Sequence, residues 1–214
     1  MKNLISAFFS GCLLLVAVVT SAAGNPDAGE AKVIVCAACH GATGASDSAA
    51  FPNLAGQGEK YLIKQLNDLK SGDRVIIEMT GMVDLMTDQD IADIAAFFSV
   101  QTASITGSEE IEDEAYGLSA SEFLALGEKV YRGGNLETSV PACTGCHSPR
   151  GNGNAPAGYP ALAGQHRDYL IKQLTAFQNN LRVNDGDSKI MRGVAKRMSD
   201  LEIRAVANYI SGLN

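Results

Sequence analysis

The sequence of 214 residues predicts an all-α fold made of two similar domains in tandem. The strongest observation is an internal repeat, because the segment FPNLAGQGEKYLIKQL at 51–66 recurs as YPALAGQHRDYLIKQL at 159–174. Apolar residues recur at helical spacing in both halves, and no stretch of useful length alternates between apolar and polar residues as a β-strand does. A repeat of this kind indicates one structural unit that is present twice.

The first residues predict a secretory signal peptide. A single lysine precedes the apolar run Leu4–Val19, and small residues follow it. This order is typical of a signal peptide, and we expect cleavage after Ala22 or Ala23, so that residues 1–22 are removed. The apolar run is short for a membrane-spanning helix, which needs about 20 residues, and an uncleaved anchor is the alternative. Cys12 lies inside this segment and is removed with it.

The mature chain divides at an acidic segment. We assign residues 23–105 to an N-terminal domain and 115–214 to a C-terminal domain, joined by 106–114, which contains five acidic and no basic residues. A charged segment with few apolar residues is typical of a solvated linker, and a partner-binding segment is the alternative. Each half is small for a self-sufficient apolar core, so a large buried cofactor would help each half to fold.

The last helix of each domain has a recognisable beginning. The sequences TDQD and SDLE, which start at Thr87 and Ser199, match capping boxes or come close to them. Met86 and Met198 directly precede these starts, and an isoleucine follows each at the fourth helical position, which fits a hydrophobic staple. The staple explains both methionines as packing residues.

Two pentapeptides of the form Cys-x-x-Cys-His, at 36–40 and 143–147, carry the chemistry of the chain. This is the attachment signature of c-type haem, in which two cysteine sulfurs form thioether bonds to the porphyrin and the histidine ligates the iron. A thioredoxin-like dithiol needs a βαβ context, which the chain lacks. A four-cysteine zinc site separates its two pairs by roughly 15–20 residues, whereas about a hundred intervene here; structural disulfides are the remaining alternative. The motifs predict two covalently bound haem c groups, attached and ligated by Cys36, Cys39 and His40 in the first half and by Cys143, Cys146 and His147 in the second.

An electron-carrying haem iron needs a sixth ligand, and the sequence indicates methionine. The repeat aligns Met79 with Met191, each in a glycine-containing stretch before the last helix, from which a thioether can reach the open haem face. Met82 has no methionine at the corresponding position of the second half. We predict Met79 and Met191 as axial ligands, with Met82 as the alternative at the first haem.

Four other matched residues are candidate neighbours of the haems. The carbonyl groups of Pro52 and Pro160 are positioned to accept a hydrogen bond from Nδ1 of the iron-binding histidines, which would fix the imidazole tautomer; the alternative is that each proline only stiffens a turn. Arg74 and Arg182 precede the two methionines. Each arginine is expected either to pair with a haem propionate or to lie exposed at the surface.

Three further positions bear on packing. Gly29 and Gly127 lie in the first helix of each domain, and we expect them to allow a close crossing with the last helix at Phe97 and Tyr209 respectively. His166 takes the place of a glycine in the first copy of the repeat. We interpret His166 as a surface residue, with a contact at the domain interface as the alternative.

On these motifs the chain closely resembles the cytochrome c4 family. Besides the haem motifs and the Ala-Gly-Gln turns, the resemblance rests on EMTG at 78–81, PACTGCHSP at 141–149 and NDGD at 184–187. It implies two class I cytochrome c domains related by a pseudo-twofold axis, with haem propionates facing each other near the domain interface and axial methionines at Met79 and Met191. It also implies a periplasmic protein, in some members associated with the membrane surface, that passes electrons between respiratory complexes and terminal oxidases.

Motifs and resemblance together predict an electron-transfer protein and not an enzyme. The expected partners are a donor such as a quinol-oxidising complex and an acceptor such as a terminal oxidase or reductase. The alternatives are a fixed electron-transfer subunit of a larger oxidoreductase and an enzyme such as a dihaem peroxidase or a thiosulfate dehydrogenase. An enzyme needs an open iron and acid–base groups, whereas both halves supply a methionine and the chain contains only three histidines. Nucleic-acid binding is not expected, because the basic residues are few and lack interleaved aromatic residues.

The two halves carry opposite charge. Residues 24–105 contain 11 acidic and 5 basic residues, a net charge of −6, whereas residues 115–214 contain 8 acidic and 11 basic residues, a net charge of +3. Such a field steers the encounter with charged partners and weakens with salt. We therefore hypothesise that the two domains dock to different partners.

Overall fold

A computed structural model of the chain describes residues 23–214 and shows two helical domains packed against each other. The predicted signal peptide, with Cys12, lies outside these residues. Within the described part of the chain, no helix is long and apolar enough to cross a membrane. The N-terminal domain contains α1 (Pro26–Glu30), α2 (Ile34–His40), α3 (Glu59–Ser71), a 3₁₀ turn (Ile77–Met79) and α4 (Asp88–Ser99). The C-terminal domain contains α5 (Ala120–Gly133), α6 (Thr144–His147), α7 (Arg167–Gln178), α8 (Ile190–Ala195) and α9 (Asp200–Ser211).

In each domain the first helix crosses the last helix at a glycine. A Cβ atom added to Gly29 of α1 would lie 2.8 Å from Cβ of Phe97 in α4, and one added to Gly127 of α5 would lie 2.8 Å from Cβ of Tyr209 in α9. Both positions would also clash with backbone carbonyl groups of the last helix. The predicted close crossings are therefore confirmed, because only a residue without a side chain fits there.

The last helices form the centre of each domain core. Both capping boxes are present, Thr87 with Asp90 at α4 and Ser199 with Glu202 at α9. Met198 is 5% exposed within the C-terminal core, and Met86 packs against the N-terminal core. Met198 and Ile203 belong to the same core cluster, which agrees with the staple at α9, whereas the staple of Met86 with Ile91 stays a prediction.

The two repeated glutamines join the domains through a reciprocal set of hydrogen bonds. The Gln57 side chain donates to the Ala161 carbonyl at 2.7 Å and accepts from its N–H at 3.1 Å. The Gln165 side chain accepts from the N–H of Asn53 at 2.8 Å and donates to its carbonyl at 3.0 Å. The glutamine side chain of each turn therefore hydrogen-bonds to the backbone of the other copy of the repeat. This is the arrangement expected for two domains related by a pseudo-twofold axis.

His166 also lies at this interface. Its Nε2 is 2.9 Å from the carbonyl oxygen of Ser46 in the N-terminal domain. The prediction of a surface residue is wrong for His166, and the alternative, a contact between the domains, is correct. The reason is tertiary, since the end of the turn faces the other domain and brings the imidazole to the Ser46 carbonyl.

The acidic segment 106–114 follows the surface of the C-terminal domain. The Asn208 side chain of α9 binds both the N–H and the carbonyl of Glu109, at 2.9 and 3.0 Å. The carboxylate of Asp113 is buried and forms an ion pair with Arg204 at 2.6 Å. The other four carboxylate side chains are exposed, so the segment is solvated on one side and fixed to α9 on the other.

Candidate functional site

Each Cys-x-x-Cys-His motif lies on a short helix that ends at its histidine. In α2 the residues Cys36, Cys39 and His40 are spaced i, i+3 and i+4, which places them on one face of a helix. The second motif has the same spacing, with Cys143 in helical conformation directly before α6. Both helices stop because the next residue has a positive φ, +77° at Gly41 and +69° at Ser148. A non-glycine residue rarely adopts such a φ, so the stop is enforced in the second site by the surrounding structure.

The cysteine environments do not suit a redox dithiol or a shared metal site. Burial raises the pKa of the Cys143 thiol to about 11 and also raises the pKa of Cys36. A reactive dithiol needs a lowered thiol pKa. Cys36 packs against the N-terminal core and Cys143 against the C-terminal core, so the two pairs belong to different domains. Among residues 23–214, no cluster of three or more His, Cys, Asp or Glu side chains could hold a metal ion.

Both motif histidines are held as neutral imidazoles. Nδ1 of His40 is 2.9 Å from the carbonyl oxygen of Pro52, and Nδ1 of His147 is 3.0 Å from that of Pro160. Burial lowers the pKa of both histidines, and the hydrogen bond to the carbonyl acts in the opposite direction. Because a carbonyl can only accept, Nδ1 carries the proton and the lone pair lies on Nε2. A neutral imidazole oriented in this way is the form that ligates a metal.

The candidate methionines lie in the segments that precede the last helices. Met79 ends the 3₁₀ turn and Met191 is the second residue of α8, and both are half-buried. Met82 is 36% exposed. Their assignment as iron ligands stays a prediction.

Arg74 lies at the domain interface and not at the surface. It is 8% exposed, and its guanidinium donates to Gln65 of its own domain at 2.8 Å and to Tyr169 and Gln173 of the other domain at 3.1 and 3.2 Å. For Arg74, the alternative of an exposed arginine is wrong. The tertiary structure decides this, because Tyr169 and Gln173 of α7 in the second domain contact Arg74.

Arg182 is half-buried and makes the equivalent set of contacts with the two domains exchanged. Its guanidinium donates to Gln173 of its own domain at 2.8 Å and to Gln65 and Tyr61 of the other domain at 3.0 and 3.3 Å. It also donates through Nε to Asn184 at 3.0 Å and lies 4.5 Å from the centre of the Phe177 ring. Sequence reasoning missed Gln65 and Gln173, although their recurrence in both copies of the repeat was an available signal.

The interface contains two guanidinium groups, and the nearby Asp68 carboxylate interacts with Arg74 without hydrogen-bonding to its side chain. All hydrogen-bond partners of Arg74 and Arg182 named above are neutral, and within residues 23–214 neither guanidinium forms an ion pair. Burial alone would raise the pKa of the Tyr61 hydroxyl, but the guanidinium groups of Arg182 and Arg74 lower it overall. Buried cations usually have an anionic partner. Haem propionates have the charge and chemistry to pair with these guanidinium groups, and that pairing stays a prediction.

Comparison with known proteins agrees with these features. A family model described as Cytochrome c matches residues 28–100 and 124–214. Cytochrome c4 of Pseudomonas aeruginosa is 49% identical over 193 residues, covering 90% of this chain and 90% of that protein. The thiosulfate dehydrogenase electron acceptor of Stutzerimonas stutzeri is 35% identical over 197 residues, covering 92% of this chain and 84% of that protein. The crystal structure of reduced recombinant cytochrome c4 from Pseudomonas stutzeri matches with a TM-score of 0.82 and 49% identity, covering 90% of this chain and 100% of that one.

Two small helical domains, each with a Cys-x-x-Cys-His helix and an oriented neutral histidine, define a dihaem c-type cytochrome. The chain belongs to the cytochrome c4 family. It is an electron-transfer protein with two covalently bound haem c groups and not an enzyme, as predicted.

Proposed function

We propose that this protein is a periplasmic electron carrier of a respiratory chain, exported by a signal peptide that is cleaved near Ala22 or Ala23. Each domain would hold one haem between a histidine and a methionine. The attachment and axial residues are Cys36, Cys39, His40 and Met79 in the N-terminal domain and Cys143, Cys146, His147 and Met191 in the C-terminal domain. A haem held in this way supplies a one-electron Fe(II)/Fe(III) couple.

The observation that carries this proposal is the hydrogen bond from each histidine to a proline carbonyl. The Pro52 and Pro160 carbonyls fix the tautomer and the ring orientation, so Nε2 of His40 and of His147 is available without rearrangement. Fixed ligands in both oxidation states keep the reorganisation on electron transfer small. A methionine on the opposite side favours the reduced state and excludes small substrates.

The interface supports electron exchange between the domains. Arg74 and Arg182 bring two positive charges to the surface where the domains meet. Propionates paired with these guanidinium groups would bring both haems towards the interface. The reciprocal hydrogen bonds of Gln57 and Gln165 then keep the separation of the domains fixed.

The charge difference supports separate docking partners for the two domains. The acidic N-terminal domain suits a basic partner surface and the C-terminal domain an acidic one. We expect charge reversals in the two domains to change the association rates of different partners. An equal effect of both reversals on a single partner would contradict this part of the proposal.

The first test is the optical spectrum of the purified ferric protein, calibrated for haem content per chain. The weak red absorption band that arises from charge transfer between methionine and ferric iron reports the sixth ligand. We expect two haems per chain and a band of full intensity for two haems. One high-spin haem, or a band of half intensity, would contradict the assignment of two His/Met sites.

A second candidate function is to accept electrons from a thiosulfate-oxidising enzyme. The observation that favours it is the identity of 35% over 92% of this chain with a thiosulfate dehydrogenase electron acceptor. Stopped-flow reduction of the ferric protein by a thiosulfate dehydrogenase with thiosulfate, compared with reduction by a quinol-oxidising complex, distinguishes the two donors. The physiological donor should reduce it faster, and the rate should fall as salt is added.

A further inference from the structure

The segment that leads to the methionine is longer in the second domain. Four residues lie between Arg74 and Met79, whereas eight lie between Arg182 and Met191. The added residues form a loop whose turn is at Gly186, with a φ of +71°. Ordering a longer loop costs more conformational entropy, so contacts that hold the loop are needed to keep Met191 on the iron.

An ion pair closes this loop directly beside Met191. The Asp185 carboxylate accepts from Nε of Arg192 at 2.6 Å and from the backbone N–H of Arg192 at 2.9 Å. Nη2 of Arg192 donates to the carbonyls of Val183 and Gly186 at 3.1 and 3.3 Å. The side chains of Asp185 and Arg192 are only 6% and 17% exposed. The residue next to Met191 is therefore bonded to three residues of the loop.

The other end of the loop is tied to the N-terminal domain. The Asn184 side chain donates to Asp68 at 2.6 Å and to Gln65 at 3.0 Å. Nζ of Lys64 donates to the carbonyl of Asn184 at 2.7 Å. The residue before Asp185 therefore cannot move without breaking contacts across the interface.

The first domain has a weaker arrangement. Thr80 follows Met79 at the position that Arg192 occupies in the second domain. The ion pair of this segment joins Glu78 and Lys172 at 3.5 Å, and these side chains are 54% and 60% exposed. Exposed pairs contribute little to stability, whereas removal of one member of a buried pair is costly.

We propose that the Asp185–Arg192 pair is a positioning device that holds Met191 at the second haem, so that Met191 leaves its iron more slowly than Met79 does. This inference rests on the proposed axial ligands. Movement of α8 relative to the loop would carry Met191 away from its iron, and the pair resists that movement. Met79 needs only the short exposed segment to move.

The test measures how fast imidazole displaces the methionine in the ferric holoprotein. Saturating imidazole is mixed with the protein, and the disappearance of the charge-transfer band is followed. Met191→Ala leaves the band of the first haem, and Met79→Ala leaves that of the second. We expect the band of the first haem to disappear at least about tenfold faster than the band of the second.

The decisive variant is Asp185→Ala in the Met79→Ala protein, with Asp187→Ala as the matched control. Asp187 is an exposed acidic residue of the same loop. We expect Asp185→Ala to speed the loss of the band at least about tenfold, and Asp187→Ala to change it by less than about twofold. Equal effects of the two substitutions, or no effect of Asp185→Ala, would overturn the positioning role while leaving the ligands intact.

Two further results separate the possible failures. No band in the Met79→Ala protein would overturn both the Met191 ligand and this inference. Where Asp185→Ala yields no folded holoprotein, Arg192→Gln tests the same pair and retains the backbone N–H that Asp185 binds. Arg192→Gln must also speed the loss of the second band, and an unchanged rate would overturn the proposal.

Discussion

The two domains share their histidine sites but differ in the segments that surround them. The hydrogen bonds from histidine Nδ1 to the proline carbonyl oxygen have nearly equal lengths, 2.9 Å in the first domain and 3.0 Å in the second. By contrast, the first helix is α1 with five residues in one domain and α5 with 14 in the other. The repeat therefore preserves the groups that orient a ligand, while the segments that surround the ligand diverge. Two haems of one chemical type can in this way acquire different stabilities and potentials.

The largest expected effect is loss of a methionine ligand from one domain at a time. Met79→Ala and Met191→Ala should each remove about half of the charge-transfer band, because each domain supplies one His/Met site. Each ferrous variant should bind one carbon monoxide per chain, as measured by optical titration. Loss of the whole band on either substitution would show that the domains are not independent at the iron. Met82→Ala is the control, and it should leave the band unchanged.

The next largest effect is on stability, and it should differ between the two helix crossings. Gly127→Ala should lower the free energy of unfolding by about 3 kcal/mol, since its Cβ overpacks a crossing between two long helices. Gly29→Ala should cost less, because α1 has only five residues and can shift away from α4. Denaturant unfolding measures both. Gly133→Ala, where an added Cβ has nothing within 4 Å, is the control and should be neutral or slightly stabilising. Equal costs at Gly29 and Gly127 would show that the length of the first helix does not matter.

The third prediction concerns the two arginines of the interface. Arg74→Ala should lower the free energy of unfolding by about 2 kcal/mol, because it leaves buried hydrogen-bond partners unsatisfied. Arg182→Ala should cost less, since Arg182 is only half-buried. Thermal unfolding of the two holoproteins compares them. A larger loss of stability from Arg182→Ala than from Arg74→Ala would mean that the hydrogen bond from Arg182 to Asn184 contributes more than the deeper burial of Arg74.

The smallest expected effect is a difference in acid sensitivity. The Lys32 ammonium, assisted by the Asn25 N–H, lowers the pKa of Asp93 in α4 to about 2, whereas Ala205 stands at the matching position in α9. The pKa of an aspartate in the unfolded chain is about 3.9. The stabilisation that the Asp93 contacts contribute is therefore present above that pH and is lost as the pH falls through the pKa of Asp93 in the folded protein. Asp93→Asn should therefore make the stability of the N-terminal domain depend less on pH between about 4 and 2.

Hydrogen exchange of α4 and α9 at several pH values measures this dependence in each domain. The exposed Asp84→Asn is the control, and it should leave the pH dependence as in the unaltered protein. An unchanged slope in Asp93→Asn would contradict the role assigned to the Lys32 contact.

Most of the candidate site could be predicted from the sequence because its signals are local. The spacing of Cys36, Cys39 and His40 already places them on one face of a helix, whatever surrounds that helix. The capping boxes at Thr87 and Ser199 depend on neighbours three residues away and were equally predictable. The internal repeat extended each local inference to the other half of the chain.

The interface was much less predictable. The sequence leaves Arg74 open between a propionate partner and an exposed residue, and it wrongly predicts His166 at the surface. Their positions depend on residues about a hundred places away, such as Tyr169 for Arg74 and Ser46 for His166. The sequence carries little signal for such long-range pairs, because a polar residue such as arginine is usually exposed.

The sequence by itself therefore determined the class of fold, the number of haems and the order of the binding groups. These follow from short-range geometry and from a repeat that can be read along the chain. Only the tertiary structure decided which cations are buried between the domains and which loop is closed by the Asp185–Arg192 pair. The physical reason is that burial and ion pairing are set by segments brought together in folding, and their energies depend on the exclusion of water that folding creates.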